Sequence, residues 1–137
     1  MALRLPTAEV TVLLGEPIVR RRLMAMFDDS SPGVRRVTVD PSVGVTERRR
    51  RLEEAGDAAV VLVDRVTEGL DATGRRAVLG ALAGVAARGA AVLVDDDDSV
   101  AALAVADETL RADPVRGLVV EAAEGPVAPL EELYRAS

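Results

Sequence analysis

An apolar run that ends in an aspartate, AAVVLVD at 58–64, constrains the fold of this chain more than any other feature. The run does not alternate between apolar and polar residues, which is typical of a parallel strand covered on both faces. A second run of this kind, AAVLV at 90–94, follows a long amphipathic stretch. Because parallel neighbours need crossover connections, the two runs predict a parallel sheet with helices between its strands.

Short apolar runs and amphipathic stretches alternate along the whole chain and predict five strand–helix units. We expect strands at 9–14, 34–40, 58–64, 90–94 and 116–122. We expect helices at 17–29, 45–56, 71–89, 99–113 and 128–136. The predicted fold class is therefore α/β, with residues 1–137 forming a single domain around a doubly wound, five-stranded parallel sheet.

Residues at the predicted helix starts support these boundaries. Pro17 suits a first helical turn, and Thr46, Asp71 and Ser99 are plausible N-caps. The acidic run DDDD at 95–98 follows the fourth predicted strand and is typical of a solvated loop.

The composition excludes several kinds of site. The chain has no cysteine and no histidine, which removes thiolate ligands, imidazole ligands and the commonest general base. All 17 basic residues are arginines, and the net charge of −6 argues against direct nucleic-acid binding. No apolar run has the ~20 residues that a membrane span requires. We therefore expect a cytoplasmic protein without a membrane contact.

Ligands of doubly wound sheets bind beyond the carboxyl ends of the strands. The polar residues and turn glycine expected at that edge are Gly15, Glu16, Asp40, Asp64, Asp95 and Glu121.

The pattern resembles the receiver domain of bacterial two-component response regulators, which has a flavodoxin-like (βα)5 fold. VTVLLGEPIVRRRL resembles the opening of that family, and AAVVLVDRV resembles the strand that carries its phosphorylated aspartate, which places Asp64 at the acceptor position. RGLVVEA resembles the family's RGYLLKD segment, which carries a lysine. The resemblance implies a signalling role and spans nearly the whole chain.

The chain departs from the family at each position that supports phosphoryl transfer. Only Glu16 stands where the family has an acidic pair, Val94 or Asp95 replaces the hydroxyl residue, and Glu121 replaces the lysine. Like charges ~4 Å apart repel by roughly 4 kcal/mol at an effective dielectric constant of 20. We therefore expect a degenerate phosphoacceptor pocket, formed by Glu16, Asp64, Val94, Asp95 and Glu121.

Three other interpretations of these motifs remain open. The clustered carboxylates could hold Mg²⁺, although hydration and raised pKa values would also relieve their repulsion, so we expect no cofactor. Asp64 could still accept a phosphoryl group. LDATG at 70–74 is similar to the phosphorylated stretch of anti-sigma-factor antagonists, with Thr73 as its acceptor. A nucleotide-binding enzyme is disfavoured, because LLGEP at 13–17 is not a phosphate-cradling Gly-rich loop.

The expected function is regulatory and non-enzymatic: an atypical, phosphorylation-independent receiver that controls transcription. Its output would come from a homodimer or a heterodimer with another regulator, or from a small-molecule effector bound in the degenerate pocket. DNA would be contacted only through a domain absent from these residues. The resemblance places the dimer surface at about 99–136, with Val100, Leu103, Leu110, Leu130 and Tyr134 as candidate contacts.

Overall fold

A computed structural model of the chain describes residues 5–115 and 117–120, the last four by their backbone alone. Six strands form one sheet in the order β2-β3-β4-β1-β5-β6. The strands are β1 Val10–Leu14, β2 Val34–Val37, β3 Val60–Asp64, β4 Ala91–Asp95, β5 Glu108–Asp113 and β6 Gly117–Val120. The helices are α1 Pro17–Met26, α2 Val45–Glu54, α3 Ala72–Ala87 and α4 Ser99–Leu103, and a 3₁₀ turn, Ala55–Asp57, follows α2.

Helices cover both faces of the sheet, so the predicted α/β class with a doubly wound sheet is confirmed. On one face α1 packs its Leu23 and Met24 against Leu13, Leu93 and Leu110. The larger core lies on the other face, where α2, α3 and α4 cover the sheet. Its buried members include Val12, Leu52, Val61, Val63, Val78, Leu79, Leu82, Val85, Val92, Val94 and Ala102.

The two non-alternating runs form the middle of the sheet, as predicted. β3 and β4 pair in parallel, and their side chains alternate between the two cores because successive residues of a strand point to opposite faces. Asp64 and Asp95 are register partners at the carboxyl ends of these strands. The sheet therefore brings two of the predicted pocket residues side by side.

The order of the strands differs from that of the flavodoxin-like fold, which is 2-1-3-4-5. Here β1 lies between β4 and β5, and β2 forms an edge beside β3. β1 to β5 form an all-parallel set of five strands, as the predicted fold class requires, although β5 was not among the five predicted strands. The prediction of an all-parallel sheet is wrong for the sheet as a whole, because β6 pairs with β5 in the antiparallel direction.

The predicted helix at 99–113 is wrong beyond its first turns. α4 ends at Leu103, and the chain enters β5 at Glu108. Burial alternates along β5, with Glu108, Leu110 and Ala112 pointing inward, which is the period of a strand. Helix-forming residues there yield to the pairing of β5 with β1.

The predicted strand at 116–122 corresponds to β6, Gly117–Val120, which completes a hairpin with β5. The amide of Val115 donates a hydrogen bond of 2.8 Å to Oδ1 of Asp113, the local bond expected of an aspartate that opens a turn. The predicted helix at 128–136, with Leu130 and Tyr134, lies outside the described residues.

Two of the predicted helix starts are confirmed and two are wrong. Pro17 is the first residue of α1, and Asp71 caps α3 by accepting a hydrogen bond of 2.7 Å from the amide of Gly74. The cap of α4 is Asp98 in place of Ser99, and α2 begins after Gly44 without a side-chain cap.

Candidate functional site

The carboxyl edge of the sheet, on the face covered by α1, gathers acidic side chains from β3, β4 and the loop that follows β4. Asp64 ends β3 and Asp95 ends β4, and the register places them next to each other. Asp95 is completely buried, whereas the side chain of Asp64 is 15% exposed. Two carboxylates so close in a buried position need a positive charge nearby.

Arg20 of α1 supplies that charge. Its guanidinium Nε lies 2.7 Å from Oδ1 of Asp95, its Nη2 bonds Asp97, and its Nη1 donates to the carbonyl of Gly15 at 2.6 Å. Only 6% of the Arg20 side chain is exposed. The cation at this edge is therefore a buried part of the fold, and each of its three donor nitrogens has an acceptor. Arg21 holds the other oxygen of Asp97 from the solvent side at 2.9 Å.

Asp64 has its own arginines. Nε of Arg65 lies 3.0 Å from one carboxylate oxygen, and Nη1 of Arg36 lies 3.9 Å from the other. Arg65 adopts φ 52°, a left-handed conformation that is uncommon outside glycine, and its amide donates to the carbonyl of Asp95 at 2.8 Å. The neighbouring Asp64 carboxylate raises the pKa of Arg65, which marks this contact as an ion pair.

Asp95 retains one oxygen without a partner among the described residues: its Oδ2 is buried and accepts no hydrogen bond. Burial raises the pKa of Asp95, and the charges of Asp64 and Asp97 add to this effect, while Arg20 opposes it. The carboxyl is therefore more easily protonated than an ordinary aspartate.

A second buried carboxyl lies beside it but faces a different partner. Oδ2 of Asp96 accepts a hydrogen bond of 2.6 Å from the hydroxyl of Thr67, and its Oδ1 accepts the amide of Asp98 at 2.9 Å. Burial raises the pKa of Asp96 despite these bonds. The prediction that 95–98 is a solvated loop is therefore wrong for its first two residues, which are buried: Asp95 holds Arg20 of α1, and Asp96 bonds the residue that caps α4.

The turn between β1 and α1 is short and tightly packed. It consists of Gly15 and Glu16, and α1 begins at Pro17. Gly15 has φ +122°, and a Cβ there would lie 2.6 Å from the carbonyl oxygen of Ala112 in β5. This connection touches the neighbouring strand, so there is no open loop at this point.

The structure brings together only two of the five residues predicted to form the degenerate pocket. Val94 points into the core on the opposite face, because it alternates with Asp95 along β4. Glu16 is exposed and makes no side-chain cap on α1. Glu121 lies outside the described residues, and Asp40 is exposed and bonds the amide of Ser42.

The arginines of the site are what the sequence interpretation missed. Arg20 belongs to a run of three arginines at 20–22, which is typical of a solvated helix face, yet it is buried. A sequence signal for its burial exists, since Arg20, Leu23, Met24 and Phe27 follow the i, i+3, i+4, i+7 spacing of a core-facing stripe. Met26 lies off this stripe and is 65% exposed. Arg36 and Arg65 carry no comparable sequence signal.

The predicted dimer surface is only partly exposed. Val100 is 80% and Leu103 is 44% exposed, whereas Leu110 is buried at 1% exposure and cannot contact a partner. The reason is that Leu110 belongs to β5, inside the sheet. Thr73 is exposed in the first turn of α3.

Electrostatically, the site is balanced within the chain. Among the described residues, an arginine pairs with each of Asp64, Asp95, Asp97 and Asp98, and the hydroxyl of Thr67 pairs with Asp96, so these five carboxyls do not form a bare cluster. No group of three or more metal-ligating side chains able to hold an ion occurs within 5–115. Over the same part of the chain, no helix is long and apolar enough to cross a membrane.

Comparison with known proteins identifies the fold but not a family. No protein-family model matches the chain, and no curated protein is significantly similar to it. Among solved structures, the chain is similar to the ATP-binding subunit of an ABC transporter, with a TM-score of 0.53 and 10% sequence identity. The match covers 86% of this chain and 81% of the other.

Proposed function

We propose that this chain is a regulatory module with an α/β nucleotide-binding-type sheet that neither hydrolyses a nucleotide nor transfers a phosphoryl group. One observation carries the proposal: the guanidinium of Arg20 is buried at the carboxyl edge and bonded to Asp95, Asp97 and Gly15. The position where an α/β fold holds an anionic ligand with its cation is filled by the chain's own ion pairs.

The comparison with an ATP-binding subunit invites a test of the turn after β1. A P-loop has the pattern GxxxxGK[ST] between a strand and a helix, and its lysine and backbone amides hold the phosphates. Here the connection is Gly15-Glu16, the chain has no lysine, and Gly15 is packed against Ala112. These features argue against the hydrolytic chemistry of a P-loop enzyme.

Asp64 occupies the position of the metal-binding aspartate of P-loop enzymes only in a general sense, as a carboxylate at the end of a central strand. Arg65 and Arg36 already offset its charge. A divalent cation would have to displace or face these guanidinium groups, and the resulting repulsion argues against Mg²⁺-dependent catalysis.

The resemblance to receiver domains also implies a regulatory role. It implies an input module whose output is a change of partner, and control of transcription through a dimer remains part of the proposal. The strand order argues against the receiver fold itself, since β1 lies between β4 and β5. The regulatory role does not depend on which ancestry is correct.

The test measures nucleotide and phosphoryl chemistry on the same purified chain. We expect no saturable heat with Mg²⁺-ATP in titration calorimetry, no release of phosphate, and no gain of a phosphoryl group from acetyl phosphate by intact-mass spectrometry. ATP turnover above that of a buffer blank would overturn the proposal. So would a phosphoryl gain that the Asp64→Asn variant loses, and that result would support the receiver alternative.

A further inference from the structure

The outer surface of the α2–α3–α4 layer has a gap that the fold does not explain. Gly80 and Gly84 stand in the middle of α3, both are exposed, and a Cβ added at either would meet nothing within 4 Å. Glycine inside a helix costs roughly 0.5–1 kcal/mol relative to alanine. Neither glycine is required by a close contact within the described residues, and together they leave the outer side of α3 without side chains at these two positions.

The two glycines leave a groove between α2 and α3 with a volume of about 320 Å³. Between and beside them the outer side of α3 carries Ala83 and Ala87, which are also exposed. Small side chains let the backbone of a second element approach closely, and packed helices lie ~8–10 Å apart. The shape of this surface therefore suits a helix of another protein molecule.

The charged side chains on the wall of the groove suit a second copy of this chain. Arg49 and Glu53 of α2 and Arg88 at the end of α3 line the groove and are exposed, and Arg88 is paired with Asp57. Within the part of the chain that the structure describes, neither the side chain of Arg49 nor that of Glu53 forms an ion pair. Two opposite charges on one surface are complementary to the same surface rotated by a two-fold axis, because each residue can meet the other residue of the second copy.

Exposed apolar side chains lie on the same layer. α4 packs against α3 and turns Ala102 into the core, which leaves Val100 and Leu103 outward with 80% and 44% exposure. These exposed apolar side chains enlarge the surface of the layer that a second copy can cover.

We propose that this layer, defined by Arg49, Glu53, Gly80, Gly84, Val100 and Leu103, is a homodimer interface whose occupant is a second copy of this chain. The inference supplies a surface for the dimer that the proposed function includes, but it does not involve the carboxyl edge, so the calorimetric and mass-spectrometric test above can fail without affecting it. The layer shares Val100 and Leu103 with the dimer surface that the receiver resemblance implies, and it uses α2 and α3 in place of Leu110 and residues beyond 120.

Charge-reversal variants test the interface, and combining the two reversals should restore the dimer. Arg49→Glu places two acidic groups opposite each other across the axis, and Glu53→Arg places two basic groups there. Each single variant should be monomeric in sedimentation velocity where the wild type is dimeric. An equimolar mixture of the two, and the double variant Arg49→Glu/Glu53→Arg, should regain the dimer.

Filling the groove gives a second, independent readout. Gly80→Leu should raise the dimer dissociation constant at least ~10-fold, which corresponds to 1.4 kcal/mol. Leucine is a better helix former than glycine, so the thermal midpoint should not fall. Ala25→Leu, on the exposed side of α1 on the other face of the sheet, is the matched control and should leave the dimer unchanged.

Three outcomes would overturn the proposal. The wild type could be a monomer at every concentration, as expected if the layer binds a different protein. Both charge reversals could remain dimeric, which would place the interface elsewhere. The mixture of single variants could stay monomeric although each is folded, which would exclude pairing of residue 49 with residue 53.

Discussion

Arg20 and Asp95 are 75 residues apart in the chain, yet Nε of the arginine lies 2.7 Å from Oδ1 of the aspartate. Their side chains are 6% and 0% exposed. A buried pair of this kind contributes little compared with a well-packed apolar pair, but removing one partner leaves an uncompensated charge. The pair therefore fixes α1 against the end of β4. Once one of the two charged residues is buried there, the other is needed to offset its charge.

Arg20→Met should lower the free energy of unfolding by about 3–5 kcal/mol in urea denaturation at neutral pH, because Asp95 loses the one side-chain partner that it has among the described residues. Mg²⁺ should raise the thermal midpoint of this variant and not that of the wild type, since Asp95 then lacks its arginine and Asp97 keeps only Arg21, which leaves carboxylate oxygens for a hard cation. The control is Arg22→Met, an exposed position two residues further along α1. Equal stability of the Arg20 variant and the wild type would contradict the role of the ion pair.

Asp96→Asn should change how stability depends on pH. The pKa of Asp96 is raised in the folded chain above its ordinary value of 3.8, so the folded chain binds more protons than the unfolded chain above that pH. The contribution of Asp96 to the free energy of unfolding is therefore complete below 3.8 and is lost as the pH rises through the folded pKa.

Asparagine at position 96 removes this loss of stability with rising pH and keeps the hydrogen bonds to Thr67 and Asp98. Its carbonyl can accept the amide of Asp98, and its NH₂ can donate to the hydroxyl of Thr67, which accepts as readily as it donates. Denaturation at a series of pH values should show the stability of the variant gaining on the wild type as the pH rises. A constant difference over the series would mean that Asp96 does not titrate with folding.

Arg48→Lys should be strongly destabilising although it conserves charge. The buried guanidinium of Arg48 donates to the carbonyls of Pro41, Val43, Val66 and Glu68, which ties two loops to α2. A lysine has three donors on one nitrogen and cannot span four carbonyls, and each buried group left without a partner costs about 1–3 kcal/mol. Urea denaturation should show a loss of at least ~2 kcal/mol, against less than ~0.5 kcal/mol for Arg50→Lys on the exposed side of α2.

Gly15→Ala should destabilise the chain through backbone strain and a steric clash. Gly15 has φ +122°, and the added Cβ would lie 2.6 Å from the carbonyl oxygen of Ala112. Backbone strain of this kind costs about 1–3 kcal/mol before the clash is counted. Gly44→Ala is the matched control, because its φ is −78° and a Cβ there meets nothing within 4 Å. If both variants have the same thermal midpoint, the tight turn is not needed.

Local patterns identified the centre of the sheet but not its order. The runs at 58–64 and 90–94 formed β3 and β4 because strands buried on both faces have an unmistakable composition. The neighbours of β1 depend on contacts between residues far apart in sequence, and no local pattern specifies them. β5 was mistaken for a helix because its six residues alternate weakly and include Glu108, a carboxylate that is 9% exposed.

The acidic residues of the candidate site could be predicted from the sequence, whereas its arginines could not. Asp64 and Asp95 follow apolar runs, so their position at the carboxyl edge follows from the strands alone. Arginine is common on exposed helix faces, so the residue type alone does not distinguish the buried Arg20 from Arg22, which is exposed. Only the stripe that Arg20 shares with Leu23 and Met24 indicates its direction.

The central position of β1 also decides when the sheet can form during synthesis. β1 is the first strand made, yet its two neighbours are β4 and β5, at 91–95 and 108–113. Both of its backbone edges therefore stay unpaired until most of the described chain exists, and unpaired strand edges favour aggregation. Pairing over such sequence separations is intrinsically slow. The apolar strand β1 must therefore remain without its neighbours in the sheet until β4 and β5 have been synthesised. Folding of this domain is completed only after the segment that contains β5 has left the ribosome.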